Sequence, residues 1–337
     1  MRSRTVGFVL GCTLALTLTL TLARPLVAQS TQCAAQPVVL RDACQKGTDI
    51  FTMFAPQVQG ALAGGGPVLG SSNAVRGFSI GLRVNAVDGR VPQLRSQRLS
   101  TSGIVRSAIP TERVPVLGPA LDVAIGVFPG FFVGMQRLLS VEVLANVAYI
   151  PNRTIEDFSV RTTNGSLKLG YGARVGLLAD RQMMPAVAVS YFRRSLPTAT
   201  FSTGLPATQL AATADDSLTL GDLSIRNDAL RLGISKRLGF IEVGGGVGQD
   251  RYRTFSQLRT RVTPTFGAPV TGMFVLTQQI KRNAAYGSVA LNILRVRLAA
   301  EAGSTFGGDS ISTYNTFTDG TLNAPRLFGS VGLRLGF

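Results

Sequence analysis

The sequence contains no histidine and no tryptophan, and only 15% of its 337 residues are charged. Without histidine, a Ser-His-Asp triad, an HExxH zinc site and a histidine-based pH switch are all excluded. Asp215 and Asp216 are adjacent, but their polar surroundings are typical of a solvated turn or a weak calcium site rather than of an acid–base pair. The sequence therefore predicts no enzyme activity, no cofactor and no structural metal site.

Cysteine is also scarce, with three residues in the chain. Arg2 and Arg4 precede an apolar run that contains Cys12 and ends in small residues, so residues 1–28 are predicted to be a cleaved secretory signal peptide, with a retained anchor or a lipoprotein as the alternative. The exported chain then keeps only Cys33 and Cys44. In an oxidising compartment these two thiols are expected to form one disulfide.

Long helical membrane spans are lacking as well. The mean hydropathy of +0.25 is high for a soluble protein, yet the best candidate span, residues 114–135, is interrupted by Pro115, Pro119 and Pro129 and contains Asp122. A helical membrane protein is therefore not expected.

What recurs instead is alternation of apolar and polar residues in pieces that approach ten residues, which is the length of a tilted strand that crosses a bilayer. This pattern predicts an all-β fold of about ten strands, within a range of about 8 to 14. The pieces are 78–86, 121–127, 139–149, 167–177, 187–191, 230–235, 241–248, 288–293, 296–303 and 331–337.

The last piece carries a family resemblance. Val331, Leu333, Leu335 and Phe337 alternate with polar or small residues, and the chain stops on the aromatic Phe337. This stretch resembles the C-terminal strand of bacterial outer-membrane β-barrel proteins. The resemblance implies a closed antiparallel up-and-down transmembrane β-barrel in the cell outer membrane, whose last strand is recognised by the barrel assembly machinery and closes against the first strand.

The connections between the predicted strands sort by length. Short links near 129–137, 179–184, 238–239 and 294–295 would lie on the periplasmic side, and the long links would lie outside the cell, as is usual in this barrel class. The long links are 88–118, 151–164, 195–227, 255–282 and 307–324.

Residues 29–73 precede the barrel, which is expected to occupy residues 74–337. Thr48 is a candidate cap for a short helix that ends in Ala63-Gly64-Gly65-Gly66. The placement is loosely similar to the N-terminal hatch of long-chain fatty acid transporters. Two interpretations stay open here: a plug in the barrel mouth or a periplasmic linker.

The formal charge is +16, but the cations are spread along the strands without a basic run, so nucleic-acid binding is not expected. The charged residues at the polar positions of this alternation are predicted to face the lumen. They would either form an ion-pair network that plugs it or line an open anion-selective pore. These residues are Arg83, Asp122, Glu142, Lys168, Arg174, Arg231, Glu242, Arg297, Glu301 and Arg334.

A second group of arginines falls in the predicted long links and would be available to bind lipopolysaccharide phosphates. These are Arg90, Arg95, Arg98, Arg251, Arg253, Arg259 and Arg261. The function expected from the sequence is a passive channel or transporter for an unidentified small or hydrophobic solute. The alternative is a structural or adhesive barrel that has a plugged lumen and acts through its extracellular loops.

Overall fold

The computed structural model describes residues 29–73, 77–93, 98–150, 152–155, 158–163, 165–181, 184–204, 216–318 and 322–336. The predicted signal peptide, Arg95, Asp215 and Phe337 lie outside these residues. The described residues contain two helices, α1 (Thr31–Ala34) and α2 (Val38–Ala63). The strands are β1 (Phe78–Pro92), β2 (Ala108–Ile109), β3 (Thr111–Phe128), β4 (Phe131–Val133), β5 (Gln136–Tyr149), β6 (Arg153–Ile155), β7 (Phe158–Thr162), β8 (Leu167–Leu178), β9 (Ala186–Ser195), β10 (Ala199–Gly204), β11 (Ser217–Leu238), β12 (Ile241–Val262), β13 (Val270–Ile293), β14 (Val296–Phe306), β15 (Thr316–Phe317) and β16 (Arg326–Gly336).

Ten of these strands form a closed ring of antiparallel pairs. The order around the ring is β1, β3, β5, β8, β9, β11, β12, β13, β14 and β16, so strands that follow one another in the chain are neighbours in space. The ring closes between its last and first strands, where Leu333 pairs with Leu82 and Leu335 with Ile80. Closure leaves no unpaired edge in the ring itself, which is the usual way in which an all-β fold avoids edge-to-edge association.

The ten stretches of alternating apolar and polar residues lie in the ten ring strands, the last of them as far as residue 336. The prediction of an all-β, antiparallel, up-and-down arrangement is therefore confirmed. The short predicted links also exist. Residues 239–240 and 294–295 are two-residue turns, and the links after β3 and β8 lie at the same end of the ring.

The long links were predicted wrongly in three places because the strands run on into them. Residues 255–262 belong to β12, residues 270–282 belong to β13, and only 263–269 connect the two strands. The stretches 88–92 and 111–118 likewise extend β1 and β3, and the stretch 217–227 extends β11. A strand such as β12, with 22 residues, is about 70 Å long at 3.3 Å per residue, more than twice what a tilted crossing of a bilayer needs.

The three longest strands reverse their amphipathicity along their length. In what we call the belt half (residues 230–238, 241–249 and 283–293), apolar side chains face outside and polar ones face inside. In the distal half (residues 217–227, 252–262 and 270–280), the buried inner face carries Leu218, Leu258 and Phe274. The belt half continues around the other ring strands as a band of exposed apolar residues that includes Leu82, Leu121, Val143, Leu169, Leu298 and Leu333.

Helix α2 lies inside the ring, because it packs against strands from opposite parts of it, namely β1, β3, β9, β11, β12, β13 and β16. The predicted helix start at Thr48 was wrong. The Thr48 hydroxyl donates to the carbonyl of Cys44 one turn earlier, so it lies in the middle of a 26-residue helix that includes Pro56. The helix ends before Gly64, whose φ of 57° is a left-handed value that glycine adopts without strain.

The N-terminal half of α2 forms the core of the distal half. Leu40, Ile50 and Phe51 belong to one buried apolar cluster with the inward side chains of β11, β12 and β13. A disulfide between Cys33 and Cys44 joins α1 to α2 at this end. Within the described part of the chain, neither helix combines the length and the apolar character needed to cross a membrane.

Two carboxylates of α2 hold the loops that cover the distal end. Asp42 accepts the backbone N–H groups of Ser100 and Val105 at 2.8 and 3.0 Å, and Asp49 accepts the N–H and the side-chain amide of Asn315 at 2.8 and 2.7 Å. The two loops also pair with each other through the short parallel strands β2 and β15. Burial raises the pKa of Asp49 above its ordinary value, and the donors of Asn315, Tyr314 and Gln45 offset part of that rise.

Candidate functional site: the filled lumen

The candidate site is the inside of the belt half, where residues 64–73 follow α2 down the ring towards the start of β1. We call this stretch the lumen segment. Its residues contact the inward faces of strands from both sides of the ring, since Gly65 meets Glu301 of β14 and Ser72 meets Ser235 of β11. The segment is regular in neither φ nor ψ, so its backbone polar groups need partners other than a helix or a sheet.

Two buried arginines supply partners for the first turn of the lumen segment. Arg83 donates to the Gly66 carbonyl at 2.8 Å and forms an ion pair with Asp122 at 2.9 Å. Arg231 donates to the Gly65 carbonyl at 2.9 Å and forms an ion pair with Asp250 at 2.7 Å. Each guanidinium therefore connects a ring strand to the lumen segment, because its several N–H groups donate to two partners at once.

Glu301 holds the same turn from the opposite side. Its two carboxylate oxygens accept the N–H groups of Gly65 and Gly66 at 2.7 and 2.8 Å. A Cβ at Gly65 would lie 2.3 Å from this carboxylate, so only glycine allows the approach. The glycine cluster thus lets a buried carboxylate bind two consecutive backbone amides, an arrangement that stabilises the ionised group.

The end of the lumen segment is held by a third arginine. Arg174 forms an ion pair with Glu142 and donates to the carbonyls of Ser71 and Asn73 at 2.8 and 2.9 Å. Arg174 and Glu142 face each other across β5 and β8, where they are direct register partners. Removal of one member of a buried pair of this kind costs on the order of 3–5 kcal/mol of stability, because it leaves the other charge uncompensated.

The remaining predicted lumen residues form a second group near the end with short turns. Glu242 accepts from Arg297 at 2.8 Å and from the Ser235 hydroxyl at 2.9 Å, while Arg334 donates to the Ser79 hydroxyl at 2.7 and 2.9 Å. Lys168 is the exception. It has the inward parity, but it is the second residue of β8 and its side chain is exposed, so it does not line the lumen.

Two charged participants were missed by the sequence interpretation. Asp250 and Arg194 are buried and have the same parity as the predicted residues, but each lies just past the point where its strand was predicted to end. Continuing the alternation by two or three residues would have included both. The lumen segment lies within residues 29–73, for which a plug in the barrel mouth was one of two interpretations, but its individual contacts could not be predicted because many of them are made by backbone groups.

Little space remains beside the lumen segment. The two described cavities along it measure about 20 Å³ each, and their walls include Arg83 and Arg334 in one and Arg174 and Glu301 in the other. A cavity of this size holds about one water molecule. At these two places the lumen segment and the ring strands therefore leave little free space.

The outward side of the closing strand differs from this interior. Val331, Leu333 and Leu335, which were predicted to be part of an assembly signal with Phe337, face away from the lumen and are 58%, 48% and 38% exposed. Their neighbours Ser330, Gly332 and Arg334 face inside. The strand therefore has one apolar outer face and one polar inner face, up to the last described residue.

Comparison with known proteins gives low similarities. No protein-family model and no curated protein sequence matches the chain. Solved structures that are similar include the beta domain of the Bordetella autotransporter Brka (12% identity, TM-score 0.30, 78% of this chain and 100% of that chain). Others are the TodX deltaS2S3 mutant monoaromatic hydrocarbon channel (8%, 0.25, 79% and 92%) and the outer membrane protein opdK from Pseudomonas aeruginosa (8%, 0.16, 78% and 100%). At these TM-scores the likenesses carry no argument, and the function has to be argued from the geometry of the chain itself.

Proposed function

We propose that this protein is a bacterial outer-membrane β-barrel whose belt half crosses the membrane. The band of exposed apolar residues, the polar lumen and the short turns at one end all support this location. Residues 1–28 would direct export and be removed, and the outer-membrane lipid would surround the band. Val331, Leu333, Leu335 and Phe337 would be the signal that the barrel assembly machinery recognises.

We further propose that the barrel is a structural or adhesive protein that acts through its distal half, with a lumen closed by its own N-terminal region. One observation carries this proposal: Arg83, Arg174 and Arg231 each donate to backbone carbonyls of the lumen segment while forming an ion pair with the ring wall. A segment bound inside the lumen in this way would obstruct the path of ions through a pore. The distal half, in contrast, has a packed apolar core, as a surface domain requires, and its outer face mixes charged residues such as Arg259 and Arg261 with exposed apolar ones such as Met273 and Val275.

A channel remains the second candidate, and it would require the lumen segment to move. The contacts that hold the segment are hydrogen bonds and ion pairs, and the disulfide joins α2 only to α1. Displacement of residues 64–73 would therefore break no covalent bond. In that case a small or hydrophobic solute would pass along the inner faces of Arg83, Arg174, Glu301 and Arg334.

Planar-bilayer conductance separates the two candidates. The wild-type protein should insert without producing steady current steps. The triple substitution Arg83→Gln, Arg174→Gln and Arg231→Gln removes the cations that bind the lumen segment, and should produce frequent steps. Arg334→Gln is the matched control, because it removes an inward cation that donates to Ser79 instead of the segment, and it should stay closed.

Steady steps from the wild-type protein would overturn the closed-lumen proposal and favour the channel. A triple variant that inserts but never conducts would show that these arginines are not what closes the lumen. Insertion itself is checked by gel mobility, since a folded barrel in detergent migrates differently before and after boiling.

A further inference from the structure

A group of cations on the outer surface of the ring has no role in the lumen. Arg193 of β9, Arg226 of β11, Arg251 and Arg253 of β12, and Lys281 of β13 all point outside, away from α2. We call these five residues the rim cluster. They lie on four consecutive strands of the ring, at the boundary between the belt half and the distal half.

The register of these strands opposes like charges. Arg226 is the direct cross-strand partner of Arg253, and Arg251 is the direct partner of Lys281. Like charges that face each other on one side of a sheet destabilise it. Asp228 is the direct cross-strand partner of Arg193 and of Arg251, so it offsets part of this repulsion, and a further anion would offset the rest.

The described residues supply two carboxylates at this place. Asp228 accepts from Arg193 at 2.6 Å and from the Tyr191 hydroxyl at 2.8 Å, and it lies 3.8 Å from Arg253. Asp309 accepts the backbone N–H of Lys281 at 2.9 Å. Among the described residues, the five cations of the rim cluster therefore exceed these carboxylates by three charges.

The position of the rim cluster indicates the source of the missing anion. Leu230 and Val247 are apolar and exposed on the same outer faces, four residues from Arg226 and Arg251 respectively. At 3.3 Å per residue, Arg226 and Arg251 stand about 13 Å along the strand from the apolar band, and Arg253 stands about 20 Å from it. Because the strands of a membrane barrel are tilted, these distances are shorter along the membrane normal and include the level of the lipid headgroups, whose phosphates arginine binds with two parallel hydrogen bonds.

We propose that the rim cluster is a binding site for the phosphorylated headgroup of an outer-leaflet lipid, with a phosphate placed between the Arg226–Arg253 and Arg251–Lys281 pairs. Asp228 and Tyr191 position the Arg193 guanidinium at the edge of this site. The proposal rests on the membrane location proposed above. It is independent of whether the lumen is open or closed.

The test uses the full chain purified in detergent, with diphosphoryl lipid A as the probe and native mass spectrometry as the measurement. The double substitution Arg251→Gln and Arg253→Gln should weaken lipid A binding about tenfold or more, since each lost arginine removes charge-assisted hydrogen bonds. The matched control is Arg259→Gln with Arg261→Gln, which removes the same charge from the same outer face of β12, further from the apolar band. Its binding should stay within about twofold of wild type, as expected for exposed charges at a distance.

Equal loss in both double variants would overturn the site, because net charge alone would then explain binding. Lipid A stripped of its phosphates should bind about tenfold more weakly than the phosphorylated form, and equal binding of the two would also overturn it. Inorganic phosphate that displaces lipid A at equal concentration would show a site for soluble anions instead of a lipid. A protein that shows heat-dependent gel mobility but no lipid A binding would refute this site and leave the membrane proposal intact.

Discussion

The belt half and the distal half of β12 belong to one continuous strand, yet their apolar side chains lie on opposite faces of it. In the belt half, Val243 and Val247 face outside and Glu242 faces the lumen. In the distal half, Arg259 and Arg261 face outside while Leu258 is fully buried against α2. The backbone geometry is the same in both, so the side chains make the difference, and in the membrane location proposed above an apolar medium surrounds one half and water surrounds the other.

This comparison shows how one ring is both a membrane barrel and a water-facing domain in the arrangement proposed here. In the belt half, ion pairs and hydrogen bonds hold the interior together, and Val68 and Leu69 add small apolar contacts with the ring strands. The distal half buries apolar side chains around α2 in the ordinary way, and complete burial of one leucine contributes about 1.5–3 kcal/mol. The helix is therefore the apolar core of one half, and its continuation fills the other mainly through polar contacts.

The largest effect is expected where the outer face of the belt half is made polar. Leu333→Asp places a charge on the exposed apolar face of the closing strand and should prevent membrane insertion, leaving protease-sensitive protein in the soluble fraction. Arg334→Gln, one residue further on and on the inner face, should insert normally. Fractionation and protease digestion of the two variants check this, and equal insertion of both would show that the belt is not in contact with lipid.

An intermediate effect is expected where the inner face of the distal half is made polar. Leu258→Asp should destabilise the packing of α2 by on the order of 4 kcal/mol, because it removes a buried apolar side chain and buries a carboxyl group. Limited proteolysis should then cut the region 29–63, while the belt half keeps its heat-dependent gel mobility. Gln257→Asp, at the neighbouring outward position, is the control and should resist the protease like wild type.

These two halves were not equally predictable from the sequence. The belt half was predicted strand by strand, because its alternation of outward apolar and inward polar side chains recurs in every ring strand. The apolar residues of β12 shift from odd positions such as Val247 to even positions such as Leu258, so the alternation breaks between them and the strand was predicted to stop. The alternation used for the prediction assumes that apolar residues stay on one face of a strand, so it cannot follow a strand in which they change from the outer to the inner face.

The candidate site was predictable to the same partial extent. Parity places Arg83, Arg174, Arg231 and Glu301 on the inner face, and the structure has them there. Their main partners are backbone carbonyls and N–H groups of residues 64–73, which could not be predicted. Every sequence has such groups, and these bind the charged side chains only because α2 places residues 64–73 inside the lumen.

The smallest expected effect concerns the loops that cover the distal half. The pKa of Asp49 is raised in the folded protein, so its contribution to stability is fully present below the ordinary value of 3.8 and is lost as the pH rises through the raised pKa. Asp49→Asn cannot ionise and should remove this part of the pH dependence. Protease resistance of the distal half, measured from pH 3 to pH 7, checks the slope, and an unchanged slope in the variant would assign the pH dependence to other groups.

The path of the chain through the ring also constrains the order of assembly. Residues 38–73 enter at the distal end and leave at the opposite end, and the chain then turns back as β1, which pairs with the last strand. The N-terminal region therefore either lies inside before β1 pairs with β16 or enters the closed ring afterwards through the end at which β1 begins. In the second order, α1 and the whole of α2 have to pass through the belt half before the lumen segment can bind Arg83, Arg174 and Arg231.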